Sequence, residues 1–235
     1  MEDLGAAFAL ALELLLAGDA ELWEIVRLSL AVSLTAVAIA CLLGMPLGAL
    51  LASLRFPGRQ AAIVLLNALM GLPPVVVGLF VYILLSSAGP LGALRLLYTP
   101  TAMILAQAIL VTPIVAALAR ELLSGLQEEY AEQLRSLGIG PWRAIPTLLY
   151  EGRFGLLTAA LAGFGRAIAE VGAVMLVGGN IKHVTRVMTT AIALETSKGE
   201  IALALALGLV LVGLALLVTG ATALLRGTAA RLSHV

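Results

Sequence analysis

The chain has 235 residues, of which 61% are apolar and only 12% charged, and its mean hydropathy is +1.09. A soluble domain carries about a quarter charged residues, so water is excluded as the main solvent. Fourteen Lys and Arg balance fourteen Asp and Glu with no basic tail or stripe, which leaves nucleic acid no electrostatic footprint.

Met1, Glu2 and Asp3 open the chain and no basic residue precedes Arg27. The positive segment of a secretory signal is missing, so the first helix is expected in the mature protein. Phe8 to Leu16 carries one acid, Glu13, and runs into Gly18-Asp19. It is too short to span and suits a short helix lying at the membrane interface. From Leu28 to Leu54 no residue is charged, and apolar character reaches back to Ile25. A run of that length crosses about 30 Å of hydrocarbon, which gives span 1 at residues 25–54. Its lone cysteine, Cys41, reads as a small buried apolar residue.

Arg55-Phe56-Pro57-Gly58-Arg59-Gln60 breaks the pattern, and uncharged residues 61–85 form span 2. Within that run stands Gly71-Leu72-Pro73-Pro74. Two prolines remove two amide donors and push the residue before them towards extended geometry, so no regular helix continues there. Two readings stand: a packing kink, or a broken helix whose freed backbone groups line a passage. A loop at 86–98 with Gly89-Pro90 leads to span 3 at 99–119, where Thr112-Pro113 repeats the device more weakly.

Residues 120–153 hold four Arg and five Glu. No bilayer core accepts that load, so this is the one large polar loop. Glu128 to Leu137 lacks Gly and Pro and suits a short amphipathic helix, stopped by Gly138-Ile139-Gly140-Pro141. Spans 4 and 5 follow at 154–181 and 201–225, separated by a polar stretch rich in Thr that reads as a solvent-facing loop or short surface helix. Five spans plus the interfacial helix make an all-α integral membrane protein. If the 120–153 loop is cytoplasmic, that side collects eight cations, including Arg226 and Arg231, against five outside. The bias places the N-terminus outside and the C-terminus in the cytoplasm.

Span 4 contains Arg166-Ala167-Ile168-Ala169-Glu170-Val171-Gly172-Ala173. Spacing of four puts guanidinium and carboxylate on one helix face, where a buried charge needs a partner. The pair is either a structural ion pair or a lining in which Arg166 meets an anion and Glu170 holds its geometry.

In the polar loop the chain resembles the cytoplasmic coupling loop of ATP-binding cassette (ABC) importer permeases. Glu132 stands six residues before Gly138, and Leu134-Arg135-Ser136-Leu137-Gly138 with Pro141-Trp142-Arg143 fits the family pattern. Gln133-Leu134 and Tyr150-Glu151 depart from it. The run from Arg166 through Gly178-Gly179-Asn180 to Glu200 is similar to permeases of the molybdate, tungstate and sulfate branch, and to tungstate permeases in particular. The resemblance implies a MetI-like fold forming one transmembrane domain over 1–235. It implies coupling to an ATPase through Glu129, Glu132, Leu134, Arg135, Ser136, Leu137, Gly138, Gly140, Trp142 and Arg143. It further implies a pathway through Pro73, Pro74, Arg166, Glu170 and Gly172, with an external oxyanion-binding protein docking near Lys182, Arg186 and Thr189.

The implied partners are an ABC ATPase dimer inside, which binds ATP and Mg, and that binding protein outside, around a homodimer of this chain. Five spans are too few to surround a polar path, and a two-fold dimer closes it. This chain holds neither catalytic residues nor a metal set nor a cofactor. Its only lysines, Lys182 and Lys198, follow no phosphate-loop frame. Molybdate or sulfate remains the alternative cargo. A stand-alone ion-coupled carrier wants more intramembrane charges than one Arg and one Glu. An intramembrane enzyme wants convergent His or Asp, whereas His183 and His234 lie outside the spans and no Asp follows Asp19.

Overall fold

The computed structural model describes residues 4–232, with side chains placed for 5–224. Eleven α-helices run along the described residues: α1 (Leu4–Ala17), α2 (Ala20–Ser53), α3 (Arg59–Met70), α4 (Pro74–Leu85), α5 (Pro100–Glu129), α6 (Ala131–Ser136), α7 (Pro141–Glu151), α8 (Arg153–Ile168), α9 (Gly172–Gly178), α10 (Met188–Lys198) and α11 (Ile201–Leu232). A single 3₁₀ turn at Gly92–Leu94 lies between α4 and α5. The all-helical class expected from composition is the one observed. Three helices, α2, α5 and α11, are long and apolar enough to cross a bilayer, and the count is five if α3 with α4 and α8 with α9 each form one broken span. With 14 residues, α1 is about 21 Å long and falls short of the hydrocarbon thickness. The charges of Glu2, Asp3, Arg226, Arg231 and His234, used in reading the sequence, lie outside the described side chains.

Contacts divide the chain into two compact units. The first comprises residues 1–36, 73–107 and 166–217. Its buried residues include Leu22 and Val32 of α2, Val77 and Val81 of α4, Met103 of α5, Val174 and Val177 of α9, and Met188 of α10. Helices α4 and α9 approach closely because Gly78 has no side chain; a Cβ there would lie 2.6 Å from the Ala173 Cα.

The second unit comprises 37–72, 108–165 and 218–235. One of its cores gathers Ala49 and Ala52, Ala119 and Leu123, Ala144 and Leu148, and Leu156. Small residues dominate where α2 meets α5. Gly44 and Gly48 are four apart, and a Cβ on Gly48 would lie 2.5 Å from the Ala116 carbonyl oxygen and 2.8 Å from the Ala119 Cβ. In lipid, where helices gain nothing from excluding water, such close backbone approach is a main source of association. The C-terminal end of α2 is closed by Arg59, whose Nε donates to the Leu51 carbonyl at 2.7 Å, supplying a cation where the helix dipole is negative.

Polarity misled the sequence reading twice. Residues 120–153, expected as a loop carrying one short helix, are mostly helical: α5 continues to Glu129 and α6 and α7 follow. Charges are compatible with helix, so the apolar run marks where the bilayer ends rather than where the helix ends. The Thr-rich stretch, expected to face solvent, instead packs inward, with Thr185, Thr189, Thr190 and Glu195 buried.

Replacing Gly48 by Ala forces the α2 and α5 backbones apart and should cost about 1–3 kcal/mol, read as a lower thermal midpoint of the purified protein in detergent. Gly213→Ala, where a Cβ meets nothing within 4 Å, is the matched control and should leave the midpoint unmoved.

Candidate functional site

The candidate site is built around a helix break whose own three residues include neither proline nor glycine. Helix α8 stops at Ile168 and α9 starts at Gly172, with Ala169, Glu170 and Val171 between them. Three nearby groups take up the exposed backbone. Gln107 of α5 donates Nε2–H to the Ala167 carbonyl at 3.0 Å, the Glu170 amide donates to the same carbonyl at 3.1 Å, and Thr189 of α10 donates its hydroxyl to the Glu170 carbonyl at 2.7 Å.

The Glu170 carboxylate works in two directions. Oε1 accepts the Ala173 amide in the first turn of α9 at 3.1 Å, and Oε2 meets Arg166 Nη1 at 2.5 Å. The i, i+4 pair expected from spacing therefore forms, but Glu170 stands in the break rather than on a continuous helix face. Burial is unequal: the Glu170 side chain is 4% exposed and that of Arg166 36%. The carboxylate is committed, while the guanidinium keeps an open side.

The other broken segment arrives beside this one. Pro73 is extended (φ −63°, ψ 124°) and Pro74 takes the first position of α4, where a missing amide costs nothing. Gly172 lies against that first turn, since a Cβ on it would come within 2.7 Å of the Val75 Cγ2. The first turn of α4, Gly172, Glu170 and Arg166 are thus neighbours. Both α4 and α9 begin here, so the positive ends of two short helix dipoles share one neighbourhood.

Beyond α9, the turn to α10 is held by Thr185 and Thr190 of the stretch expected to face solvent, together with Asn180 and Ser29. The Thr185 hydroxyl donates to the Gly178 carbonyl at 2.5 Å and accepts the Ile181 amide at 3.0 Å. Thr190 donates to Asn180 Oδ1 at 2.9 Å, and the Met188 amide donates to Ser29 Oγ of α2 at 2.8 Å. Around them lies an ion network: Glu21 with Lys182 at 2.7 Å and Arg186 at 3.7 Å, Glu24 with His183 at 2.8 Å, and Glu195 with Arg186 at 3.5 Å and Lys198 at 3.0 Å.

Two of the expected docking residues have other work. Arg186 is only 11% exposed and is held between Glu21 and Glu195, and buried Thr189 closes the break. Their contacts lie within this chain, whereas the resemblance implies a docking role for them. Lys182 is half exposed beside Glu21 and remains accessible.

In the second unit, α6 and α7 present the expected coupling residues as a surface. Glu129, Glu132, Arg135, Ser136, Leu137, Gly138, Trp142 and Arg143 are exposed, Trp142 at 64%. Leu134 instead turns inward and packs on the core with Ile139. Gly138 has φ +64°, and the Ile139 amide reaches back to the Leu134 carbonyl at 2.9 Å, so its glycine serves the left-handed turn that ends α6. Gly140 is half-buried at an ordinary negative φ before Pro141, and a Cβ there meets nothing within 4 Å.

Residues 44–228 match the family described as the binding-protein-dependent transport system inner membrane component. The chain is 44% identical over 211 residues to the tungstate uptake system permease protein TupB of Peptoclostridium acidaminophilum, covering 90% of this chain and 92% of that protein. It is 47% identical over 143 residues to the protein of the same name from Campylobacter jejuni, covering 61% and 60%. A probable anion ABC transporter permease protein of Haloferax volcanii is 39% identical over 198 residues, covering 82% and 85%.

Thr189→Val keeps shape but strands the buried Glu170 carbonyl, and should lower stability by about 1–3 kcal/mol. Thr189→Ser should stay near the parent. Thermal unfolding of both variants in detergent checks the assignment; an unchanged Thr189→Val would remove Thr189 from the site.

Proposed function

We propose, from the premise that this chain belongs to the family of binding-protein-dependent transport system inner membrane components, that it is the permease subunit of an ABC importer for tungstate. The observation that carries the cargo is the similarity, over most of both chains, to a protein named for tungstate uptake. Chemistry agrees at the level of an oxyanion: Arg166 keeps an open side, while the Glu170 carboxylate that holds it is already committed to the guanidinium and to the start of α9. Molybdate and sulfate share the charge and tetrahedral shape of tungstate, so this site by itself selects the class.

In this reading two copies of the chain enclose the path. An arginine more than a third exposed within a broken span is costly against lipid and is tolerated where it faces water or another protein. The dimer supplies that cover, and Glu170 keeps the guanidinium aimed. A separate ATPase pair binds the exposed surface of α6 and α7. Arg135, Arg143 and Glu132 form no ion pair with another described residue and remain available to it. ATP-driven closure of the motor would move the two coupling surfaces together and switch access across the membrane. The binding protein docks on the opposite side, where half-exposed Lys182 and exposed His183 lie. This arrangement puts 120–153 in the cytoplasm with the C-terminus, and the N-terminus outside.

Orientation and motor contact are tested together with single cysteines in a Cys41→Ala background. Ser136→Cys should be labelled only from the cytoplasmic side and protected when the ATPase is bound. Ser197→Cys, also exposed, should be labelled only from outside. Reversed labelling, or no protection at Ser136, would overturn the arrangement.

Transport itself is tested with the Arg166→Met, Glu170→Leu double variant. Removing one partner strands a charge, whereas removing both with similar volumes is often near neutral for folding. The expected result is an assembled complex whose tungstate uptake, normalised to the amount of complex, falls at least tenfold. Uptake near the parent would reduce the pair to a structural one.

A further inference from the structure

Beside the break, and lined by no atom of Arg166, lies a small polar cavity. Ser29, Val32 and Ser33 of α2, Gln107 of α5, Ile168 and Glu170 at the break, and Val187 and Thr189 at the start of α10 line it. Its free space for the centre of a water molecule is about 10 Å³, close to the least that one water needs. The lining is unusually polar for a membrane-spanning region: five of the eight residues carry hydroxyl, amide or carboxylate groups, and all five are buried.

The hydrogen-bond inventory of these groups is incomplete in a specific way. Gln107 is 4% exposed; its Nε2 is used on the Ala167 carbonyl, but its Oε1 is buried with no partner. Ser33 is 3% exposed and its hydroxyl makes no bond with another described residue. Thr189 has given its proton to the Glu170 carbonyl and keeps an acceptor lone pair. An unpaired buried acceptor costs about 1–3 kcal/mol, so a cavity holding one acceptor, one free hydroxyl and one further lone pair is matched to a ligand that both donates and accepts.

We propose that this cavity is a binding site for one ordered water, which donates to Gln107 Oε1 and Thr189 Oγ1 and accepts from the Ser33 hydroxyl. Three bonds is the usual complement of a buried water. A cation fits the site less well. Both Glu170 oxygens are already taken by Arg166 and the Ala173 amide, so the cavity offers neutral oxygens and no net negative charge. The water ties α2, α5 and α10 together around the break. It pins the residues of the break against these three helices.

The test combines observation with a mutant cycle on the assembled complex. A map that resolves ordered water should show a peak within hydrogen-bonding distance of Gln107 Oε1 and Ser33 Oγ, and an empty cavity overturns the proposal. Ser33→Ala should lower the thermal midpoint by about 2–4 °C in the parent and leave it unmoved in a Gln107→Leu background, since one shared ligand is lost only once; additive losses overturn it. If Gln107→Leu does not assemble, Ser33→Val decides. Filling the cavity with carbon should destabilise more than Ser33→Ala, and a stabilised Ser33→Val overturns the proposal. Exchanging sodium for choline in the buffer should leave the midpoint unchanged, and a sodium-dependent rise would replace the water with a cation.

Discussion

A backbone that leaves its helix inside hydrocarbon must find hydrogen-bond partners within the protein, and the first unit of this chain is organised by that requirement. Each unpaired peptide group in lipid costs several kcal/mol, so the interruption at Ala169–Val171 persists only because α5 and α10 carry Gln107 and Thr189 to its carbonyls. Those two side chains in turn fix where α5 and α10 stand. The turn from α9 to α10 follows the same rule, with Thr185, Thr190, Asn180 and Ser29 covering groups that a loop would otherwise expose.

Glu170 gives the break its chemistry. Burying a carboxylate is costly unless charge and hydrogen bonds compensate it, and here a guanidinium and a helix-start amide both do. The second unit has no such centre. It relies on close backbone packing through Gly44 and Gly48 and on a small apolar core under α6 and α7, which suits a part whose outer face carries exposed Trp142, Arg135 and Arg143.

Sequence revealed what depends on composition or on proline. The uncharged runs fall on the long apolar helices and the two bent pairs, Pro73-Pro74 marked the turn into α4, and Gly138 marked the end of α6. Ala169-Glu170-Val171 carries no such sign, because that break is stabilised by residues some 20 to 60 positions away in the chain, as the Thr189 and Gln107 bonds show. The threonines of α10 misled for a related reason. A hydroxyl reads as solvent-facing when its carbonyl partner is unknown. Gly44 and Gly48 were equally silent, since their value comes from Ala116 and Ala119 on another helix.

The two charges at the break are only four residues apart, yet one is 4% exposed and the other 36%. An open guanidinium in a spanning region still needs water or another protein around it. Complete burial of Glu170 with partial exposure of Arg166 is the arrangement that anchors a cation while leaving its field directed outward. That asymmetry is why the proposed passage runs along the open side of Arg166, and why the cavity lined by Glu170 with hydroxyl and amide groups, which Arg166 does not line, is assigned to water and not to the anion.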